Sequence, residues 1–504
     1  MIVRAAASAA RLKADVLLVP AVVGAKGVPP DLAAIDAALS GGLTQLLDGF
    51  SGRLGEVSHT LTLGRLGATR VAVVGMGAAD RLDRVRLGNA LQLAIPGIPG
   101  PRTSLGLVAA EPLLPGVDPG DLAEAAVESA VLSAFTQATH TSRLAGRTRA
   151  AARSTEVVRL TLVGFPRVER RRLEAAAIVA EATNVARRLV NAPASDLTPE
   201  AFAAEARRQA TAAGLRFEVL DEGDLRRRKY GALLAVGGGS AQPPRLAVLT
   251  YRPAVKRSRG GRRLALVGKG ITFDTGGISI KPAGDMQYMK GDMGGAAAVL
   301  GAMSAIGRLK PTVEVVGILC LAENMVSGSA MRPGDVVRAG NGATIEVINT
   351  DAEGRMILAD GIHHAVGLGA TDIIDIATLT GGQRIALGPV AAAVQSDRPE
   401  LLHEVVAAAE AAGERVWPLP TFAEYETMLD SPIADMSNSP GPNASAITAG
   451  LFLRRFAAGK PWLHIDMAAV SWNRVPSVKE IPSGPTGFGV RTLTRLVVGM
   501  GTRR

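Results

Sequence analysis

Cysteine occurs once in 504 residues, at Cys320, and aromatic side chains make up only 3% of the chain. One thiol cannot close a disulfide within the chain and is too few for a structural thiolate zinc site. Such a composition suits a reducing cytoplasm. The scarcity of rings, set against abundant Ala, Val, Leu and Gly, implies helices and strands that approach closely through small side chains, as in α/β proteins. No stretch approaches the ~20 apolar residues needed to cross a bilayer. The start, "MIVRAAASAARLKADVLLVPAVVGAKG", sets three basic residues before an apolar run in the manner of a secretion signal. Pro20 interrupts that run, and "PPDLAAIDAALSG" after it opens like a helix, so a soluble chain without a leader is expected. Six histidines include no H-E-x-x-H pair, which disfavours histidine-based zinc chemistry. The adjacent His363 and His364 fall in a helical pattern where one ring belongs to the core.

What the chain has in excess is positive charge, a formal +10. It clusters at 143–154, 167–172, 226–229 and 256–263, which raises nucleic acid as a partner. None of these clusters contains an aromatic residue on which a base could stack, so solvated faces and loop tips are the better reading. At this length two domains are expected. The first, 1–168, alternates short strand patterns such as "DVLLVPAVV", "HTLTLG", "RVAVVGMG" and "VVRLTLVGF" with helical ones such as "GDLAEAAVESAVLSAFTQA". "GMGAAD" at 75–80 imitates a dinucleotide loop, but Asp80 replaces the third glycine and no acid follows at ribose distance, so it reads as a turn. Residues 169–192 keep apolar positions at helical spacing without Gly or Pro and form a connecting helix. A larger α/β domain, 193–504, opens with Thr198 as helix cap and Pro199 at the first helical position. Its buried strands are expected at "ALLAVGGG", "RLAVLTY", "RLALVGKG", "VEVVGILCLA", "TIEVINT" and "DIIDIATL".

Charge intrudes on this apolar background at two places. In "VGKGITFDTGGISIKPAGDMQYMKGDMGGAAAV", Lys269 ends a strand, Asp274 and Lys281 follow among glycines, and Asp292 stands where the N-cap of an apolar helix is expected. In "NTDAEGRM" a second strand ends in Asp351 and Glu353, whose alternation aims both to one side, and turns through Gly354 into a helix beginning near Arg355. Each residue alone reads as a cap, a turn or an ion pair. Together they put four carboxylates at one sheet edge, where ligands of α/β sheets gather and where the acids would repel by roughly several kcal/mol without cations. Hard oxygen donors suit Mg, Mn or Zn, and Asp274 and Glu353 could bridge a pair of ions. With the four acids neutralised, Lys281 and Arg355 leave the site positive and suited to an anionic intermediate.

These motifs, with "RRLVNAPASDLTPEAFA", "VGGGSAQPPRLAVLTY", "IATLTGG", "ERVWPLP", "HIDMAAVSW" and "GPTGFGVRTL", resemble the leucine aminopeptidase (cytosol aminopeptidase) family of di-metal exopeptidases, from about Ala180 to the end. The resemblance implies a smaller, macro-domain-like N-terminal α/β domain and a larger three-layer α/β/α catalytic domain with a mixed, mostly parallel sheet. It implies two divalent ions, Mn²⁺ or Zn²⁺, one held by Lys269, Asp274, Asp292 and Glu353, the other by Asp274, Asp351 and Glu353. It further implies a two-metal hydroxide mechanism, with Lys281 polarising the scissile carbonyl and Arg355 holding a bicarbonate that serves as general base. The pocket for the first side chain would involve Met289, Thr378, Gly381, Ala468 and Ser471, the last lying where some relatives carry an apolar side chain. Peptides with a free N-terminus, leucine and other mostly apolar residues first, are the implied substrates, at alkaline pH. A cytoplasmic homohexamer engaged in peptide turnover is the implied setting. Two other readings stand beside it: a different di-metal hydrolase such as a phosphoesterase, and a DNA-binding protein with secondary peptidase activity.

Overall fold

The computed structural model describes residues 1–6, 8–110, 113–135, 157–165, 168–254, 261–474 and 480–502. The chain divides into two compact units, one of 1–181 with 478–482, the other of 182–477 with 483–504.

The first unit is built on six strands: β1 (Ile2–Ala6), β2 (Ala14–Ala21), β3 (Val57–Leu61), β4 (Ala68–Gly75), β5 (Ser104–Val108) and β6 (Arg159–Val163). They lie in the order β1-β6-β5-β2-β4-β3. Only β3, the edge strand, runs antiparallel to its neighbour. Most of the apolar run that imitates a signal, Val16 to Ala21, lies in the buried central strand β2. Helices α1 (Arg84–Gly97) and α2 (Pro119–Leu132) bury Leu87, Leu91, Leu122 and Val127 in the core on one side of this sheet. Gly75–Asp80 passes from β4 into a single 3₁₀ turn, with Gly77 at φ +83°, and α1 begins only at Arg84, beyond the loop rather than within it as a dinucleotide loop requires.

The helix expected over 169–192 runs as α3 (Arg170–Asn191), and the division between the units falls inside it. In α4 (Pro199–Ala212) the Thr198 hydroxyl accepts from the Ala201 amide, and Pro199 occupies the first turn. The second unit holds an eight-stranded sheet with β7 (Arg216–Leu220), β8 (Arg245–Tyr251), β9 (Arg263–Asp274) and β10 (Glu314–Asn324) on one flank. After the short β11 (Val336–Arg338) and β12 (Thr344–Glu346) come β13 (Asp372–Ala377), β14 (Ala392–Ser396), β15 (Val416–Pro418), β16 (Met436–Ser437) and β17 (Trp462–Asp466). The order is β15-β14-β17-β13-β9-β10-β8-β7, parallel through its centre and antiparallel at β14–β17, β10–β8 and β8–β7. β11, β12 and β16 form a separate small sheet.

Strand alternation gives the main sheet two apolar faces. Gly268 and Gly317 face α5 (Gly294–Leu309), where a Cβ would come within 2.6 Å of Ala296 and Met303 respectively. Ala265, Val267, Val316 and Ile318 share a core with Met356 and Ile357 of α6 (Glu353–Gly367). The sheet is therefore the middle of three layers, and the scarcity of aromatic residues corresponds to this close helix-on-strand contact.

Three expectations need correction. "ALLAVGGG" is not a strand: Gly231–Gly237 is a short helix that buries Ala232, Leu233 and Val236 at helical spacing, a short apolar run being ambiguous between the two. "TIEVINT" contributes only Thr344–Glu346, to the small sheet rather than the main one. Asp292 does not cap α5; the N-cap position is Met293, with no side-chain bond, because Asp292 is turned inward to the charged centre.

The basic clusters are largely ion-paired where they are described. Arg170 pairs with Glu174, Arg172 with Glu124 and Asp121, Arg226 with Glu222, and Arg262 with Asp372 and Glu404. Residues 143–154 and 256–260 lie outside the described residues. Among those described, no helix is long and apolar enough to cross a membrane.

Of the adjacent histidines, His364 is the core ring. Its Nδ1 lies 2.8 Å from the Tyr230 hydroxyl, and burial, with Arg228 and His363 nearby, pushes its pKa from 6.5 down to about 4. The folded state thus keeps the ring neutral while the unfolded chain takes up a proton below 6.5. The stability from this group is whole above pH 6.5 and drains as pH falls towards 4, by roughly 3 kcal/mol. Urea midpoints at pH 7 and pH 4.5 are expected to differ less in His364→Gln than in the parent; an equal acid loss in both would refute the assignment.

Candidate metal centre

The carboxyl end of β9 builds one half of the centre. Lys269 is 2% exposed, and its Nζ stands 2.8 Å from Asp292 Oδ2, 2.8 Å from Glu353 Oε1 and 2.8 Å from the Thr378 carbonyl oxygen, to which it donates. Its stem lies along the backbone of Gly354, where a Cβ would come within 2.7 Å of Cδ, Cε and Nζ, so only glycine admits it. Asp274 ends the strand; Oδ1 accepts from the Gly276 amide and from Asn324 Nδ2, both at 2.9 Å, leaving Oδ2 towards Lys281 Nζ at 2.8 Å. The turn that brings Lys281 back needs glycine at 276, which has φ +87° and where a Cβ would meet the Ser279 carbonyl at 2.5 Å.

The other half is the segment before α6. Asp351 is held in a turn, its amide donating to Asn349 Oδ1 at 2.8 Å, and its carboxylate receives Lys281. Glu353 is the first residue of α6 and 1% exposed. The two acids therefore converge because a turn meets a helix start, not because a strand end alternates. One oxygen from each of Asp274, Asp351 and Glu353 falls within 4.8 Å of the others. Asp292 completes the set from the far side, Oδ1 accepting from the Thr378 hydroxyl at 2.7 Å.

Four carboxylates and two ammoniums leave two formal negative charges in a nearly buried space. Burial, with Glu353 and Asp274 adding repulsion, pushes Asp351 up to about 7. Burial raises Asp292 well above the usual carboxylate range in spite of Lys269. Burial opposes the charges of Lys269 and Lys281, yet the surrounding acids outweigh it and hold both above the ordinary lysine value. Glu353 Oε2 is buried with no hydrogen bond, and Asp292 Oδ2 has only the misdirected approach of Lys269. Unsatisfied carboxylate oxygens, a shared cluster of hard donors and residual negative charge are what a divalent cation corrects, so the residues fit one.

Lys269, Asp274, Lys281, Met289, Asp292, Asp351, Glu353, Thr378, Gly381, Ala468 and Ser471 line one cavity of about 580 Å³. Arg355 is not among the lining residues. It is 5% exposed on α6, Nη1 donates to the Asn438 carbonyl at 2.7 Å, Nε has no hydrogen bond, and burial lowers its pKa to about 10 against the pull of Glu353 and Asp466.

Several positioning residues escaped the sequence reading. Asn324 ties Asp274 to the Thr350 carbonyl. Asn438 binds the backbone of Ile348 and Asn349. Asp466 accepts from the amides of Leu379 and Ala468 and from the Thr380 hydroxyl, clamping two walls of the cavity. Asp466 and Asn324 sit at strand ends, a position that could have flagged them; Asn438 lies in a loop and carried no signal.

Comparison with known proteins agrees with this geometry. Residues 184–494 match the catalytic domain of the cytosol aminopeptidase family, and 19–143 match its N-terminal domain. A probable cytosol aminopeptidase of Streptomyces avermitilis is 41% identical, covering 97% of this chain and 96% of the relative. One from Alkaliphilus oremlandii is 38% identical over 97% of both. Among solved structures, the bottromycin maturation enzyme BotP in complex with Mn superposes with a TM-score of 0.83 at 37% identity, covering 97% of this chain and all of that one. A mutant tomato leucine aminopeptidase gives 0.83 at 33% identity, over 99% and 96%. The chain belongs to the cytosol aminopeptidase family and is a metal-dependent aminopeptidase.

Proposed function

We propose that this aminopeptidase releases leucine and other mostly apolar residues from the free N-terminus of peptides, using the residues gathered around Lys269 and Lys281. The observation that carries the proposal is the convergence of Asp274, Asp351 and Glu353 oxygens in a cavity also lined by both lysines. Lys269, Asp274, Asp292 and Glu353 would hold one divalent cation, Mn²⁺ or Zn²⁺, and Asp274, Asp351 with its carbonyl, and Glu353 a second. When bound, such cations supply Lewis acidity and acidify water for attack at a carbonyl. The chain's own part is to orient and to stabilise. Lys281, raised in pKa and therefore charged at working pH, donates to the scissile carbonyl oxygen as negative charge develops there. Arg355, two residues after Glu353 on α6 and behind the residues that line the cavity, holds bicarbonate as the proton acceptor, its unpartnered Nε being the free donor for that anion. Met289, Thr378, Gly381, Ala468 and Ser471 receive the first side chain. The substrate amine must be unprotonated to approach the cations, which favours alkaline pH. A cytoplasmic homohexamer is the setting proposed.

The test compares leucyl amide with a phosphomonoester, with and without added Mn²⁺ or Zn²⁺. Metal-dependent cleavage of the amide alone is expected; cleavage of the phosphoester alone overturns the proposal. The nucleic-acid reading is not favoured, since most arginines of the described clusters are engaged with acids.

The pocket carries its own prediction. Ser471 is 7% exposed and lines the cavity, its Cβ 3.6 Å from where a Cβ on Gly294 would stand. Ser471→Leu adds bulk that only the cavity can take, so the kcat/KM ratio of leucyl to alanyl amide is expected to fall about tenfold, the size of a methylene discrimination. An unchanged ratio removes Ser471 from the pocket.

A further inference from the structure

The cavity has a rim that the mechanism leaves without a role. From the turn Met286–Gly291, Tyr288 faces Trp472, the rings meeting edge-on at 5.7 Å between centroids. Arg474 lies over Tyr288, its guanidinium carbon 4.2 Å from the ring centroid, and one nitrogen, Nη1, donates to Asp285 at 2.9 Å. Among the described residues no other bond to this guanidinium occurs. The same cavity is lined by Arg384, on α7 (Gly381–Leu387), an exposed side chain with no hydrogen-bond or ion-pair partner among the described residues. Tyr288, Trp472, Arg384 and Arg474 all line the cavity that contains the acids. The two arginines also feel each other: burial chiefly, and Arg384 in addition, lower the pKa of Arg474 against the pull of Asp285.

Burial grades this cavity from inside to outside. Lys269, Asp292, Glu353 and Ser471 are no more than 9% exposed, Arg474 is half-buried and Arg384 is open to water. A substrate whose amine and first side chain go to the buried end must run its remaining residues towards the arginines. Two guanidiniums lining one cavity of this size and near enough to feel each other's charge, one of them steadied by an aromatic face, match a carboxylate rather than a neutral chain. The Asp285 contact does not compete strongly, because it is a single bond to a carboxylate that is 61% exposed. At about 580 Å³ the cavity accommodates a short peptide, within the range of small-ligand sites.

We infer that Arg384 and Arg474 form a carboxylate-receiving fork, so that the enzyme favours very short peptides, dipeptides above all, whose free C-terminal carboxylate follows closely on the bond cleaved. This rests on the aminopeptidase reading of the centre. The fork selects substrate by its far end, and it makes the enzyme a consumer of the small peptides that larger peptidases leave behind.

The experiment uses the metal-loaded full chain and two substrates, Leu-Gly and its C-terminal amide, which differ in one charge. For the parent, kcat/KM is expected to favour the free acid. In Arg384→Met and in Arg474→Met the acid-to-amide ratio is expected to fall about tenfold, carried by KM, with a larger fall in the double variant and partial retention in Arg474→Lys. Because Arg384 is an exposed side chain, its replacement does not threaten the fold. A parent that prefers the amide, or ratios equal to the parent's in all the methionine variants, overturns the fork. Failure of the parent to cleave either peptide would instead sink the aminopeptidase reading, and the two failures cannot be confused.

Discussion

Glu353→Gln is expected to lower kcat/KM for leucyl amide by at least about 10³-fold, some 4 kcal/mol of transition-state stabilisation, and to weaken cation binding in step. The substitution changes one atom of a side chain that is 1% exposed. Oε1 faces the Lys269 ammonium at 2.8 Å and Oε2 has no hydrogen bond, so both positions call for an acceptor with full negative charge. An amide supplies one neutral oxygen and one donor, and whichever way it turns, a donor is presented to Lys269 or to the cation space. The buried ammonium also loses a charged partner, a change that typically costs about 3–5 kcal/mol where no substitute exists; here Asp292 at 2.8 Å remains to limit the loss. Titration calorimetry with Mn²⁺, turnover and circular dichroism on the same preparation check the three consequences together. A folded variant with full activity would falsify the site.

Lys281→Met is expected to behave oppositely towards the metal. Turnover should drop by about 10²–10³-fold, the loss typical of one donor aimed at a developing oxyanion, while Mn²⁺ binds as tightly as in the parent or more so. The second half follows from charge. Lys281 stands 2.8 Å from Asp274 and is bonded to Asp351, so it already offsets part of the repulsion that a cation would relieve. Removing it deepens the negative potential at both acids. Loss of metal and activity in proportion would show that Lys281 serves the cation site instead of the carbonyl, and unaltered turnover would show that it serves neither.

How much of this was legible in the sequence depended on whether a residue's task was local. Asp274 could be placed because β9 is a long buried strand, and charge at its end has few structural reasons to be there; Lys269, expected to end that strand, lies inside it, paired with Cys320 of β10, because the strand runs on to Asp274. The cap of α4 was legible for the same cause, since Thr198 and Pro199 act on their immediate neighbours. Asp292 was misread as a cap because its real partners, Lys269 and the Thr378 hydroxyl, are distant in sequence and come from other elements. Asp351 and Glu353 were rightly joined for the wrong reason: alternation suggested an extended strand, whereas the small sheet ends at Glu346 and the convergence is made by a turn that Asn438 braces from 80 and more residues away. The helix Gly231–Gly237 was lost to an ambiguity that periodicity cannot resolve in seven residues. Arg384 and Arg474 gave no sign at all. An exposed arginine in a sequence with 56 basic residues looks like every other until a fold puts it beside a cavity.

Thr378 directly follows β13, with its hydroxyl on Asp292 and its carbonyl on Lys269, and its side of the cavity is also where the first residue of a substrate would lie on the proposed pocket. If Thr378 lines the proposed pocket, selectivity and reactivity are two readings of one part. A bulkier substrate that leaned on Thr378 would then bear on the donors behind it, and affinity for cation and affinity for side chain would be linked quantities, each altering the other by the same factor. Attempts to widen the pocket by substitution at this position would shift the demand for metal along with the choice of peptide.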